Sequence, residues 1–345
     1  MHPRAVALVP LLVVIAVASA GTEPGPGGAP HRVGGVFRNP DPTFRRPSTW
    51  TRWTFLARRT WQSLASPRAF DAPRVANDGA ALRGVPPAPT ITWIGHATLL
   101  VQVDGLNVLT DPQWSARAGP TSWLGPRRLG PPGVAFEDLP RIDVVVISHD
   151  HFDHLDLPTV RRLAAAHDPL FLVPLGLRAW FRDNGMSHVE ELDWWQERDD
   201  RGVRFVCVPA QHFSQRSLWG ANRHLWASWA ILGHDHRLYF GGDTGYFPDF
   251  GEARRRLGPF DVAALPIGAY LPPEIMKQVH LTPEEAVRAF LDLDAKAMLA
   301  IHWGTFDLAE EPLDEPPARM LAEIRRRDID PSRAWILKIG ETRRW

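Results

Sequence analysis

From Thr90 onward the apolar positions fall into short clusters separated by turns. Ile91-Thr92-Trp93-Ile94 and Thr98-Leu99-Leu100-Val101-Gln102-Val103 read as strands, and Asp104-Gly105 is a hairpin turn leading to Val108-Leu109-Thr110. Asp143 to Ser148 is a β-branched apolar run, the pattern of a strand buried on both faces. Pro158 to Ala166 reads as a helix and Leu170 to Val173 as the next strand. Further strands are expected at Arg204–Val208, Ser228–Leu232, Arg237–Phe240, Val262–Pro266, Met298–Ile301 and Ala334–Ile339. Helices are expected at Phe250–Leu257, Pro283–Leu291 and Pro317–Arg327, with Thr282-Pro283 as N-cap and first helical residue. Interspersed strands and helices predict sheets covered by helices in one α/β domain over residues 90–345.

The first 89 residues have a different pattern. Arg4 precedes an apolar run from Ala5 to Val17, and Ala18-Ser19-Ala20 supplies small residues at a cleavage position. Residues 1–20 therefore read as a secretory signal peptide, with a retained membrane anchor as the alternative. Either way the catalytic part is expected to be exported, in the periplasm or secreted. Residues 21–36, rich in Gly and Pro, read as a flexible leader. Residues 37–89 read as an N-terminal arm on the domain, with a helix over Thr49 to Leu64. Its Phe44, Arg45, Arg46, Trp50, Arg52, Trp53, Phe55, Arg58, Arg59 and Trp61 have two readings: a membrane-contacting surface, or an arm packed over the sheets.

Composition narrows the chemistry. Lys plus Arg and Asp plus Glu are 39 each, a net charge of zero, so there is no electrostatic footprint for nucleic acid. The single cysteine, Cys207, excludes an intramolecular disulfide and a thiolate zinc cluster, and its apolar run reads as a buried strand.

The strand ending at Ser148 runs straight into His149-Asp150-His151-Phe152-Asp153-His154. Three histidines with Asp153 in six residues, in a turn at the carboxyl end of a buried strand, point to a metal site. Imidazole and carboxylate without sulfur favour Zn²⁺, with Mn²⁺ or Fe²⁺ as alternatives. His212, Asp243 and His302 each follow another expected strand, and Gly242 and Gly304 beside the last two permit close backbone approach. Together these make seven ligands, enough for two ions sharing a bridge. Asp150 reads as an outer partner or a solvent-facing residue. Asp111, at a strand end, is expected to orient a ligand histidine. His96 is either a neighbour of the site or a core histidine, and His280 either assists the site or caps the following helix. Tyr246 and Tyr270 are expected along a substrate channel; His167, His188, His224, His234 and His236 read as surface residues.

The ligand set resembles that of the metallo-β-lactamase superfamily. The stretches Trp93-Ile94-Gly95-His96-Ala97-Thr98, Leu109-Thr110-Asp111-Pro112, Leu192-Asp193-Trp194-Trp195, Gly242-Asp243-Thr244-Gly245-Tyr246, Pro266-Ile267-Gly268-Ala269-Tyr270 and Ile301-His302-Trp303-Gly304-Thr305-Phe306 resemble its N-acylphosphatidylethanolamine-hydrolysing phospholipase D branch. The resemblance implies an αββα four-layer sandwich with two zinc ions, one on His149, His151 and His212, the other on Asp153, His154 and His302. It implies that Asp243 bridges them and holds a hydroxide that attacks a phospholipid substrate, giving phosphatidic acid and an N-acylethanolamine. It also implies a homodimer. Hydrolysis of a lactone or another phosphodiester is the alternative, as is an envelope protein that binds metal and lipid without turnover.

Overall fold

Strand order follows the apolar clusters closely. The computed structural model describes residues 31–345 apart from Val85, Pro87, Leu218 and Trp219, so the expected signal peptide and most of the leader lie outside the described residues. The end of the leader folds: β1 (Arg32–Val33) and β2 (Val36–Phe37) form a hairpin, followed by α1 (Thr49–Ala65). The first half of the sandwich comprises β3 (Thr90–Gly95), β4 (Thr98–Val103), β5 (Leu106–Thr110), β6 (Val144–Val146), α2 (Leu157–His167), β7 (Leu170–Pro174), α3 (Leu177–Asp183) and β8 (Val189–Leu192). The second half comprises β9 (Glu197–Asp200), β10 (Val203–Val208), β11 (Ser228–Leu232), β12 (Arg237–Phe240), α4 (Phe250–Leu257), β13 (Val262–Pro266), α5 (Pro273–Met276), α6 (Pro283–Asp292), β14 (Ala297–Ile301), α7 (Glu315–Arg326), β15 (Ala334–Trp335) and β16 (Thr342–Arg344).

These strands make two seven-stranded sheets, ordered β16-β3-β4-β5-β6-β7-β8 and β15-β14-β13-β12-β11-β10-β9. Each is antiparallel on one side and parallel on the other, the change falling at β5 and at β12. Side-chain alternation sets the layers. On β4, Leu99, Val101 and Val103 join a core with Phe205, Cys207 and Trp229 of the other sheet, while Leu100 faces Val160 and Leu163 of α2 and Phe181 of α3. The far face of the second sheet is covered by Phe250 of α4, Phe290 of α6 and Met320 of α7. The result is the expected αββα sandwich, with Cys207 fully buried.

The Thr282 cap forms as its sequence predicts: Thr282 Oγ1 accepts from Glu285 N–H at 3.2 Å, and Glu285 Oε2 accepts from Thr282 N–H at 3.1 Å. The expectation of a strand over Ala334–Ile339 is corrected. Only Ala334 and Trp335 pair with β14, and Ile339 turns away to bridge Arg74. β9 has no apolar signal because Glu197-Arg198-Asp199-Asp200 is an edge strand, where charge prevents further pairing.

Trp229 on β11 links the sheets near the ligand loop. It is fully buried, and its Nε1–H donates to Ile147 O at 2.9 Å, two residues before His149. Trp229→Ala is expected to cost about 3–5 kcal/mol of unfolding free energy, with Trp229→Phe costing clearly less. Urea denaturation measures it; a loss under about 1 kcal/mol for the alanine variant would remove Trp229 from this role.

Candidate metal centre

Both sheets deliver their chemistry at one edge. The carboxyl ends of β5, β6, β10, β12 and β14 lead to Asp111, His149, His212, Asp243 and His302, and the β3–β4 turn adds His96. Three of these residues have left-handed backbone: His96 at φ 54°, Asp111 at 37° and His302 at 60°. For non-glycine residues each costs on the order of 1–3 kcal/mol, and surrounding bonds hold them there. His302 N–H donates to His96 O at 3.0 Å, and His96 N–H to Thr305 Oγ1 at 2.7 Å. Gly242 is left-handed too, at φ 56°, and a Cβ there would lie 2.5 Å from Ser148 Cβ. Only glycine lets the Asp243 turn come this close to the β6 end.

The seven expected ligands converge. His149 Nε2 is 2.8 Å from His151 Nδ1, which is 3.2 Å from His212 Nε2. In the second group Asp153 Oδ2 lies 3.4 Å from His154 Nε2 and 3.5 Å from His302 Nε2. Asp243 sits between them. Its Oδ2 is 3.1 Å from His154 Nε2, 3.9 Å from His149 Nε2 and 3.8 Å from His212 Nε2, and its Oδ1 is 3.1 Å from His302 Nε2.

Two observations show that these residues fit metal ions. Ligands about 2.0–2.2 Å from a tetrahedral ion stand roughly 3.3–3.6 Å apart, and these donors lie around that spacing, from 2.8 Å between His149 Nε2 and His151 Nδ1 to 3.9 Å between His149 Nε2 and Asp243 Oδ2. Buried His154 Nε2, His302 Nε2 and Asp243 Oδ1 also have no hydrogen-bond partner, a costly state unless a cation takes their lone pairs.

Charge is arranged accordingly. Burial and neighbouring imidazoles hold His149 well below the usual histidine range, and burial does the same for His212, so both rings are neutral. Asp153 and Asp243 are held well below the carboxylate range: burial opposes ionisation, and the surrounding histidines overcome it. His154 and His302 go the other way. Burial disfavours their charge, but Asp243 and Asp153 raise both, His302 to about 9.

Outer partners fix the rings. His154 Nδ1–H donates to Asp111 Oδ2 at 2.7 Å, leaving Nε2 for the centre, and Asp111 also accepts from Ser148 N–H at 2.7 Å. His212 Nδ1–H donates to Val279 O at 2.8 Å. His96 belongs to the site, its Nε2 2.9 Å from Asp153 Oδ2. His280 is there as well, its unpartnered Nδ1 3.8 Å from Asp243 Oδ2.

One open alternative is decided, Asp150 being an outer partner, and three expectations are corrected. Asp150 does not face solvent: it is fully buried and accepts from His224 Nδ1–H at 2.8 Å and Gln215 N–H at 2.9 Å, tying the ligand loop to the 212–224 connection. His224 is therefore no free surface residue. Tyr246 and Tyr270 do not turn their hydroxyls to the centre. They donate to Asp292 of α6 at 2.5 Å and Glu315 of α7 at 2.7 Å, carboxylates carried by the covering helices.

Asn39 is a site neighbour that no sequence signal marked. It accepts from His212 N–H at 2.9 Å and donates to His212 O at 2.8 Å. Only the fold brings residue 39 to residue 212.

Residues 106–303 match the Beta-lactamase superfamily domain. An uncharacterized protein of Mycobacterium tuberculosis is 43% identical over 304 residues, covering 85% of this chain and 79% of its own. The N-acyl-phosphatidylethanolamine-hydrolyzing phospholipase D 1 of Caenorhabditis elegans is 40% identical over 263 residues, 72% of this chain and 74% of its own. Among solved structures, the metallo hydrolase Igni18 of Ignicoccus hospitalis superposes with a TM-score of 0.58 at 20% identity, over 75% of this chain and 98% of its own, a likeness of fold.

The opposed histidine shifts make a pH prediction. An ion at Asp153, His154 and His302 must displace protons from the two histidines, so its affinity should rise as pH climbs toward about 9, where His302 loses its proton. An ion at His149, His151 and His212 meets neutral rings. Calorimetric titration at pH 7 in buffers of different ionisation enthalpy should show proton release with one ion and almost none with the other; equal release for both would contradict this assignment.

Proposed function

The chain belongs to the metallo-β-lactamase superfamily and is homologous to N-acylphosphatidylethanolamine-hydrolysing phospholipases D, and from that premise we propose that this metal-dependent hydrolase is a phosphodiesterase of that type. Water adds to phosphorus and the bond from phosphorus to the ethanolamine oxygen breaks, giving phosphatidic acid and an N-acylethanolamine. The carrying observation is Asp243, placed between two converging triads, with its Oδ1 and the Nε2 atoms of His154 and His302 buried and without partners.

Two divalent ions, zinc by the donor chemistry, would supply a water of lowered pKa and draw charge from the phosphoryl oxygens. The chain's own residues keep the geometry. Asp111 and Val279 O each take a ring N–H, so that His154 and His212 present Nε2 inward. His96 holds Asp153, and its backbone carbonyl holds the turn at His302. A protein that only binds metal or lipid has no need of a carboxylate set between the two triads, so turnover is the better reading. A lactone remains the competing substrate class, since the same pair serves many reactions on this fold.

Contact with a bilayer goes with this reading, as does export. α1 contains Arg52, Arg58 and Arg59 and no acid, and leaves Trp50, Trp53 and Trp61 exposed while Phe55 packs inward beside Ile275 and Leu308. Exposed Trp with Arg suits an anionic phospholipid surface. No helix among the described residues is long and apolar enough to cross a membrane.

Metal-loaded protein should hydrolyse N-acylphosphatidylethanolamine and leave an acyl-homoserine lactone closed; the reverse outcome sinks the phosphodiesterase reading. Asp243→Asn should lower turnover on the order of a hundredfold or more, beyond the usual effect of an outer partner. Undiminished turnover would refute its place between the ions. The protein should co-sediment with phosphatidylglycerol vesicles, less so in high salt, and a Trp50→Ser, Trp53→Ser, Trp61→Ser variant should stay in solution. If wild type ignores vesicles and these changes instead abolish self-association, the helix face meets a second copy and not a bilayer.

A further inference from the structure

The arm reaches the metal centre before α1 begins. Asn39 grips both backbone polar groups of His212, and Arg45 N–H donates to Gln278 Oε1 at 2.7 Å, two residues from His280. Between these anchors and the helix lies Arg46. Its guanidinium carbon stands 4.8 Å over the Phe213 ring. That ring is 4.5 Å from the ring of His151 and 4.8 Å from that of His212. One aromatic ring therefore separates Arg46 from two expected ligands of one ion.

Arg46 differs from the arginines that anchor the arm. Arg58 pairs with Glu310, and Arg59 and Arg68 with Asp307, so these fasten the arm to the 307–311 loop. Arg46 has no carboxylate partner among the described residues, and its Nη2 is buried without a hydrogen-bond acceptor. Arg52, whose Nε is also buried and unpartnered, is close enough for its charge to act on Arg46. Burial and Arg52 lower the pKa of Arg46 to about 10, which leaves it charged at neutral pH. Two like charges with unused buried donors are unfavourable by themselves. An external anion removes that cost, and a planar guanidinium laid on an aromatic ring matches a phosphate edge in particular.

We propose that Arg46, steadied on Phe213 and backed by Arg52, forms an anionic subsite at the rim of the metal centre that takes a phosphate oxygen of the substrate. This rests on the phosphodiesterase reading and names the residue that makes the site prefer a phosphate over an uncharged ester. The phosphate is either that of the scissile diester or that of a neighbouring lipid headgroup, and the two respond differently to the same substitution.

The test compares wild type, Arg46→Gln and Arg46→Lys, all metal-loaded, with equal thermal midpoints as the check on folding. Kinetics are measured on a short-chain N-acylphosphatidylethanolamine below its micellar concentration, on the same lipid in vesicles, and on an acyl-homoserine lactone. Arg46→Gln should raise KM for the lipid about tenfold or more with a much smaller change in kcat, and Arg46→Lys should recover part of the loss. A rise with monomeric lipid assigns the scissile phosphate; a rise in vesicles alone assigns a neighbouring headgroup. KM values within twofold of wild type in both forms overturn the subsite, as does an equal loss on lipid and lactone. If wild type hydrolyses only the lactone, the phosphodiesterase reading has failed, and inhibition by inorganic phosphate decides the subsite separately. A tenfold higher inhibition constant in Arg46→Gln supports it, and an unchanged constant refutes it.

Discussion

Burying two carboxylates and five imidazoles around one small space is the constraint on which the rest of this structure depends. Desolvation alone would neutralise the acids and strip protons from every ring. Here Asp153 and Asp243 stay ionised because histidines surround them, and His154 and His302 hold protons because those carboxylates are near. The compensation is incomplete. Ring nitrogens and a carboxylate oxygen remain buried without partners, a state that divalent cations would relieve.

The sandwich makes this packing achievable. Each ligand sits just past a strand whose register is held by neighbours on both sides, so backbone position is decided before any side chain is placed. Left-handed residues at His96, Asp111 and His302 are tolerated because hydrogen bonds to and from their own backbone and neighbouring turns hold them. Trp229 and Asp150 do the same work farther out, one joining the two sheets beneath the ligand loop, the other tying that loop to the 212–224 connection.

The arm completes one wall. Phe37 is buried with Ala210, Leu225 and Trp226, Asn39 clasps His212, and Arg46 lies over Phe213. Further on, Arg59 and Arg68 converge on Asp307, five residues past His302. A segment that reads as an accessory to the domain thus meets the centre from the side of His212, while α1 leaves Trp50, Trp53 and Trp61 exposed.

Much of the fold was legible because buried strands need unbroken apolar runs, and those runs bound β11, β12 and β13 to the residue. The edge strand β9 was invisible because one of its sides has nothing to bury. The ligands were legible for a related reason. Metal chemistry restricts residue type severely, so His149-x-His151-x-Asp153-His154 is improbable as a surface accident. Orientation was not legible. Tyr246 and Tyr270 follow strands as the ligands do, yet their hydroxyls turn to Asp292 and Glu315 on the covering helices. Whether His96, Asp150 and His280 belong to the centre, and whether Asn39 and Arg46 reach it, depends on contacts between residues far apart in the chain. The sequence alone determined which groups could bind metal and where along the strands they lie. Tertiary structure decided which of them share one buried space, because only packing of the two sheets and the arm sets the distances between their atoms.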